Sequence, residues 1–357
     1  MATRRSFASR RATRNGLDVM SGFIRVGLVG YGLAGSVFHA PLIRACSRME
    51  LGPILTSRDV PGRVGLEDEL FEKSDLVVIA SPNQTHFPIA KAALEAGKHV
   101  VVDKPFTIAA AEADELILIA AERERLLTVF HNRRWDGDFL TICKVLPRLG
   151  EISLFEAHWD RFRPAIKQGW REKPEPGGGV LNDLGPHMID QALLLFGIPD
   201  AVSADIMAQR PQALVDDYFD LLLHYRDSRV SLKCSSLVSD QRPRFAVHGS
   251  AGSYVKYGLD PQEEQLKAGL TPKDPAFGIT DLAGTLTLPD GSRTSIATER
   301  SNYTIFYELV ADSVLNGAPV PVDPVDARTG LMLIDLARRA AELGQLLPFP
   351  AASSPEA

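Results

Sequence analysis

The stretch Phe23-Ile24-Arg25-Val26-Gly27-Leu28-Val29-Gly30-Tyr31-Gly32-Leu33-Ala34-Gly35 decides the fold. Its first seven residues read as a buried strand, and a helical pattern follows from about Ser36 to Cys46. Between them lies a Gly-x-Gly-x-x-Gly turn, in the strand–turn–helix setting that a dinucleotide site requires. Gly30 permits the tight turn, Gly32 lets a pyrophosphate approach the backbone, and Gly35 lets helix pack on strand. The helix opening there aims unpaired N–H groups and its positive dipole end at phosphate. Tyr31, Leu33 and Ala34 complete the expected cofactor-binding turn.

Outward from the turn, apolar runs alternate with helical segments. Leu51 to Thr56, Leu76 to Ala80, His99 to Val102 and Leu126 to Phe130 read as strands, with helices at Phe87 to Ala96 and Ala109 to Arg125. That rhythm means a parallel α/β sheet. The second run ends in Thr56-Ser57-Arg58, where an acidic residue would favour NAD. Two hydroxyls and a guanidinium suit a 2′-phosphate instead, so NADP(H) is the expected cofactor. About seventeen residues separate Arg58 from Leu76, too few for a full helix and edge strand, so a trimmed edge is expected there.

The pattern changes after Trp135. Asp138 to Leu149 reads as a bridging helix, Ile152 to Arg161 as an antiparallel strand, and Asn182 to Phe196 as a helix. Short strands joined by polar turns follow at 201–208, 218–225, 229–236, 244–249, 252–256 and 285–288, and suggest an antiparallel sheet. Gln262 to Ile279 reads as a loop. Thr304 to Leu315 and Ala327 to Leu343 read as helices, with Pro324 a start signal for the second. The expected division is a basic unstructured arm at 1–21, a dinucleotide domain at 22–137, a substrate-binding and oligomerisation domain at 138–347, and a tail at 348–357. The last helix has the option of packing back on the first domain.

Composition narrows the partners. The chain has 357 residues, 45% hydrophobic and 24% charged, with a net charge of −6. No basic field favours nucleic acid, and no apolar run is long enough to span a bilayer. Three well-separated cysteines form neither a disulfide framework nor a zinc site, and no metal is expected. Arg4, Arg5, Arg10, Arg11 and Arg14 give the N-terminal segment two readings, an organelle-targeting peptide or an unstructured extension ahead of Met20. The expected location is the cytoplasm.

Two further clusters carry chemistry. Asp103-Lys104-Pro105 follows a strand, where parallel α/β sheets bind ligands. Gly177-Gly178-Gly179-Val180-Leu181-Asn182-Asp183-Leu184-Gly185-Pro186-His187 sets Asp183 and His187 four apart at a helix start, so they share a face. With the glycine turn and Ser81-Pro82-Asn83, these motifs resemble the glucose-fructose oxidoreductase/inositol dehydrogenase/rhizopine-catabolism (Gfo/Idh/MocA) family, over roughly Phe23 to Leu343. Residues 30–39, Thr56-Ser57-Arg58, 131–136, 170–173 and Asp190-Gln191 are most similar to its NADP-dependent scyllo-inositol dehydrogenase branch.

The resemblance implies a Rossmann domain followed by an α+β domain with a large, open, mostly antiparallel sheet, whose outer face makes a homodimer or homotetramer. It implies catalysis by Lys104, Asp183 and His187, on a CH–OH group of a cyclic polyol or sugar. It extends the cofactor site to Ser81, Pro82, Asn83, His86, Asp103 and Lys104. The family more often has Glu before the Lys-Pro pair, so Asp103 is expected to hold Lys104 somewhat differently. His187 suits exchange of the hydroxyl proton, and Lys104 suits stabilisation of developing alkoxide charge.

By position, Asn132, Arg161, Arg163 and Trp170 are further substrate candidates. Solvated surface arginines and an ordinarily packed tryptophan are the alternatives. Reduction of another sugar ketone or ketose, and a non-catalytic NADP-binding regulator, are the competing functions.

Overall fold

The computed structural model describes residues 22–350. The expected N-terminal arm and the end of the tail lie outside them. The first sheet holds β1 (Ile24–Val29), β2 (Met49–Leu55), β3 (Arg63–Val64), β4 (Leu76–Ile79), β5 (His99–Val102) and β6 (Leu127–Val129), all parallel, in the order β3-β2-β1-β4-β5-β6. The strand order reverses between β1 and β4, and the crevice above that point is where such sheets bind dinucleotides. Helices α1 (Ala40–Ala45), α2 (Glu67–Glu72), α3 (His86–Glu95) and α4 (Ala110–Glu122) connect the strands. All four β4 side chains are fully buried, as expected of a strand covered on both faces. The cramped stretch after Arg58 does hold both a strand and a helix, cut to two and six residues.

Helix α5 (Gly137–Val145) leads to a nine-stranded sheet. Its strands are β7 (Ile152–Asp160), β8 (Ala201–Met207), β9 (Tyr218–His224), β10 (Arg229–Ser235), β11 (Phe245–Gly249), β12 (Gly252–Lys256), β13 (Gly284–Thr287), β14 (Arg293–Ile296) and β15 (Leu347–Pro348). The order is β14-β13-β12-β11-β7-β10-β9-β8-β15. The sheet is mostly antiparallel, but β7 runs parallel to β10 and antiparallel to β11. That corrects the purely antiparallel reading of β7, because α6 (Val180–Phe196) intervenes before the chain returns through β8 and β9.

Two other readings change. Part of the expected loop 262–279 is helix α7 (Gln262–Lys267), started by Asp260, whose carboxylate accepts the Gln262 N–H at 3.0 Å. Strands β14 and β15 were not anticipated. β14 is largely exposed and lacks alternation, and β15 has two residues.

Helices α8 (Thr304–Asn316) and α9 (Pro324–Leu343) return to the first sheet. Pro324 is the first helical residue of α9, and the Asp323 carboxylate accepts the Val325 N–H at 2.9 Å. Phe306, Tyr307, Val310, Ala327 and Leu331 join the apolar core of the dinucleotide-type domain. Arg328 on α9 pairs with Asp114 on α4 at 2.9 Å, and Arg48, in the turn between α1 and β2, pairs with Asp312 on α8. The C-terminal segment thus ties the two halves together.

Candidate active site

The glycine turn behaves as its spacing predicts. Gly30 has φ +91°, and a Cβ there would sit 2.5 Å from the Ala80 carbonyl oxygen on the neighbouring strand end. A Cβ on Gly35 would sit 2.1 Å from the Gly30 oxygen, so only glycine permits that packing. Gly32 differs, since nothing lies within 4 Å of its would-be Cβ. The helical segment Ala34–Ala45 begins with a π-type turn and contains buried His39.

Open space at Gly32 beside a helix start is the cradle a pyrophosphate needs, and the turn therefore fits a dinucleotide. Gly32→Ala should leave stability within about 0.5 kcal/mol of wild type, yet weaken dinucleotide binding roughly tenfold or more, because the methyl group fills the cradle. Gly35→Ala should instead lower the melting temperature. Fluorescence titration with NADPH and thermal unfolding check both; equal loss of stability in the two variants would refute the distinction.

Thr56, Ser57 and Arg58 follow β2 directly. The Thr56 hydroxyl accepts the Arg58 N–H at 3.2 Å, and the exposed Arg58 side chain has no partner among the described residues. The trimmed edge adds a residue the sequence reading missed. Arg63 on β3 donates from Nε to the Thr56 carbonyl at 3.1 Å, which puts a second guanidinium at the end of β2. Only the pairing of β3 with β2 brings it there.

Ser81 and Pro82 follow β4, and Asn83 begins the next turn, buried against Gly177 with its Nδ2 unpartnered. His86 does not line the cleft. It is buried, and its ring nitrogens face the Pro105 and Ser81 carbonyls at 2.9 and 3.0 Å. Burial holds its pKa below the ordinary value, and a neutral ring donates to only one of those carbonyls. Its role here is to brace the Lys-Pro turn.

A cavity of about 380 Å³ lies between the two sheets. Leu33 and Ala34 line it from the glycine turn, with Asp103, Lys104, Asn132, Arg161, Arg163, Asp183 and His187. The structure thus gathers most of the predicted substrate residues in one place. The Trp170 side chain lies outside what is described.

Lys104 is the centre of the arrangement. Its Nζ donates to the Asp183 carbonyl at 2.6 Å and to Asp183 Oδ1 at 3.1 Å. Arg171 approaches the same carboxylate at 3.2 Å. Burial alone would push the Asp183 pKa up, but Lys104, Arg171 and Arg161 outweigh it and hold the carboxyl well below its usual range. Asp103 does not reach the Lys104 ammonium. Its Oδ1 accepts the Lys104 backbone N–H at 2.9 Å and faces His39 Nε2 at 3.7 Å, while His39 Nδ1 lies 2.6 Å from the Tyr307 hydroxyl. His39 and Tyr307 were not singled out in the sequence; 268 residues separate them.

Asp183 and His187 project from the first two turns of α6. No side chain of the helix's own first turn caps it. The Asp216 carboxylate accepts the Leu181 N–H at 2.7 Å instead. His187 is 5% exposed and lines the cleft, with Nδ1 buried and unpartnered. Burial, then the charges of Lys104 and Arg133, hold its pKa well below the ordinary value.

Behind it the Trp159 ring carries two guanidinium groups, Arg133 at 4.3 Å and Arg244 at 4.8 Å from its centroid. Gln191 accepts from Arg244 and donates to the Arg133 carbonyl, each at 2.9 Å. Asp190 takes a two-pronged contact from Arg134, at 2.6 and 2.9 Å. These pairs clamp α6 to residues 132–135 and fix His187 over the cleft. Among the described residues no group of three or more His, Cys, Asp or Glu side chains is placed to hold a metal, and no helix is long and apolar enough to cross a membrane.

A Rossmann sheet that carries a glycine turn and Lys104, facing the Asp183 carboxylate and His187 of a second domain, defines a dinucleotide-dependent oxidoreductase. The chain belongs to the Gfo/Idh/MocA oxidoreductase family: residues 24–131 match its "NAD-binding Rossmann fold" and residues 147–349 its "C-terminal alpha/beta domain". The cofactor class is therefore a nicotinamide dinucleotide.

The Escherichia coli protein called "Uncharacterized oxidoreductase YdgJ" is 45% identical over 340 residues, covering 90% of this chain and 98% of its own. The Bacillus subtilis "scyllo-inositol 2-dehydrogenase (NADP(+)) IolW" is 38% identical over 336 residues, covering 89% and 94%. A solved oxidoreductase structure from Yersinia pestis superposes with a TM-score of 0.89 at 41% identity, covering 94% of this chain and all of that one.

Proposed function

We propose that this chain is an NADP(H)-dependent oxidoreductase that interconverts a secondary alcohol of a cyclic, scyllo-inositol-like polyol or sugar with its ketone. The observation that carries the reading is the Lys104 ammonium, held by Asp183 on the same cleft as His187 and beside the glycine turn. The similarity to the Bacillus subtilis NADP-dependent inositol dehydrogenase supports it.

Gly30 to Gly35 would hold the pyrophosphate, and Thr56, Ser57, Arg58 and Arg63 the 2′-phosphate. Bound there, the dinucleotide supplies the hydride acceptor or donor. Two of the three ammonium hydrogens of Lys104 are taken by Asp183, which leaves the third for the reacting oxygen. Neutral His187 takes the hydroxyl proton in oxidation and returns it in reduction. Asp183 orients Lys104 and accepts from a neighbouring hydroxyl. We place the enzyme in the cytoplasm, and we propose that it self-associates as a homodimer or homotetramer through the open face of the nine-stranded sheet. Size-exclusion with light scattering tests the assembly.

The experiment that decides the function is turnover of inositols, inososes and aldoses with each nicotinamide cofactor. Arg58→Ala should weaken NADP binding by about 1.5 kcal/mol or more, roughly tenfold, and leave NAD affinity unchanged. Parallel titrations check it; an unaltered preference for NADP would refute the role of Arg58.

A further inference from the structure

The cleft carries more positive charge than its own carboxylates neutralise. Eight lysine and arginine side chains line it, against five carboxylates. Every carboxylate is already engaged. Asp183 meets Lys104 and Arg171, Glu263 meets Arg133 and Lys267 at 2.6 Å each, and Glu172 meets Arg210 at 2.7 Å. Asp216 pairs with Arg338 at 3.2 Å, and Asp103 is held by the Lys104 N–H. The side chains of Arg161, Arg163 and Lys167 are left without a hydrogen bond or ion pair among the described residues.

Arg161 and Arg163 stand on a prepared platform, and Lys167 lines the same cleft a few residues on. The chain beyond β7 stays pinned to the chain beyond β10: Arg161 N–H donates to Ser235 at 2.9 Å, Arg163 N–H to Ser236 at 2.7 Å, and Val238 N–H to Arg161 at 3.1 Å. Phe162 forms the bridge to Leu237 and points to the exposed side, so its two neighbours project together the other way. Arg210, locked to Asp217 and Glu172, donates to the carbonyls of Arg163 and Ala165 at 3.5 and 3.3 Å. Burial holds the Arg161 guanidinium below its ordinary pKa, against the pull of Asp183, and Arg163 adds to the effect. Arg161 is half-buried while Arg163 and Lys167 are exposed at the cleft mouth; like charges gathered there without a direct ion pair repel one another, and an anion bound between them offsets that repulsion.

We propose that Arg161, Arg163 and Lys167 form an anion subsite on the substrate side of the cleft, so that the preferred substrate is a polyhydroxylated compound bearing a carboxylate or phosphate group. The inference rests on the polyol oxidoreductase reading and narrows its substrate class. The anion docks on the platform while a hydroxyl elsewhere on the molecule faces Lys104 and His187.

The test has two arms. In the first, the NADPH-loaded protein is titrated calorimetrically with inorganic phosphate and with gluconate, for wild type and for Arg161→Gln, Arg163→Gln and Lys167→Gln. Saturable binding weakened roughly tenfold or more in the arginine variants is expected, and the tighter of the two anions identifies the group. In the second, kcat/KM with NADP is compared for myo-inositol, its monophosphate and glucuronate. The best anionic compound should exceed myo-inositol at least tenfold at low salt, and the ratio should collapse in the arginine variants and with rising ionic strength. Equal or greater efficiency with myo-inositol overturns the subsite while leaving the oxidoreductase reading intact. Failure of either anion to bind, or equal binding in the variants, overturns it whatever the turnover. Loss of NADPH affinity in the variants also overturns it, since the cations would then serve the cofactor. No turnover of any polyol despite anion binding that depends on Arg161 and Arg163 supports the subsite and removes the polyol reading instead.

Discussion

His187→Asn is expected to lower kcat for alcohol oxidation by roughly 10²- to 10⁴-fold, the usual contribution of a positioned general acid or base. The sign of the accompanying pH effect follows from the site. Burial and the nearby charges of Lys104 and Arg133 lower the His187 pKa. The neutral ring, which oxidation needs, therefore persists below the ordinary histidine value of about 6.5. Wild-type kcat/KM for oxidation should be flat through neutrality and fall only on a limb below that value. In the reductive direction the charged ring is the donor, so the rate should rise as pH falls towards the same limb. The asparagine variant should lose this dependence in both directions while still binding NADPH. The variant should also fold, because Nδ1 of His187 has no hydrogen bond to lose. Rate–pH profiles of the two proteins check the assignment; an unchanged acid limb in the variant would remove His187 from the proton transfer.

Lys104→Met should cost roughly 10²- to 10³-fold in kcat, the scale found when one donor to a developing oxyanion is removed. The lysine also neutralises Asp183, so a rate loss alone would not separate chemistry from support of the fold. Two observations make the separation. Arg171 lies 3.2 Å from the same carboxylate and remains to neutralise it, so the methionine variant should stay folded. Lys104→Arg keeps the charge but spreads it over a planar fork that does not reproduce a point donor. Folding should be near normal in the arginine variant, with most of the rate still lost. NADPH titration, thermal unfolding and kcat together test this. Full activity in Lys104→Arg would reduce the lysine to a counter-charge for Asp183.

Much of the first domain was legible because its signals are local. A buried parallel strand such as Leu76–Ile79 needs no partner to be read, since the unbroken apolar run Leu76 to Ala80 between Asp75 and Ser81 already requires cover on both faces. The second sheet was harder. Strand β14 is exposed and carries no alternation, and α7 was hidden by a Pro- and Gly-rich surrounding, although Asp260 before Pro261 is a helix-start signal. The parallel pairing of β7 with β10 depends on the route of the chain between them, which periodicity does not record.

The sequence by itself determined the glycine turn and its three distinct glycines, the hydroxyl–guanidinium end of β2, and the four-residue spacing of Asp183 and His187. Each is a short-range constraint, set by backbone sterics or helical period within a few residues. The tertiary structure alone decided that Lys104 bonds Asp183 across 79 residues rather than Asp103 beside it. It alone turned Asp103 towards His39 and brought Arg63 next to Thr56. It also left the Arg161 and Arg163 side chains without a direct ion pair among the described residues, while Arg210 took the carboxylates of Glu172 and Asp217. A side chain's partner is chosen by the packing of both sheets and the returning helices α8 and α9, and that choice has no period in the sequence to announce it.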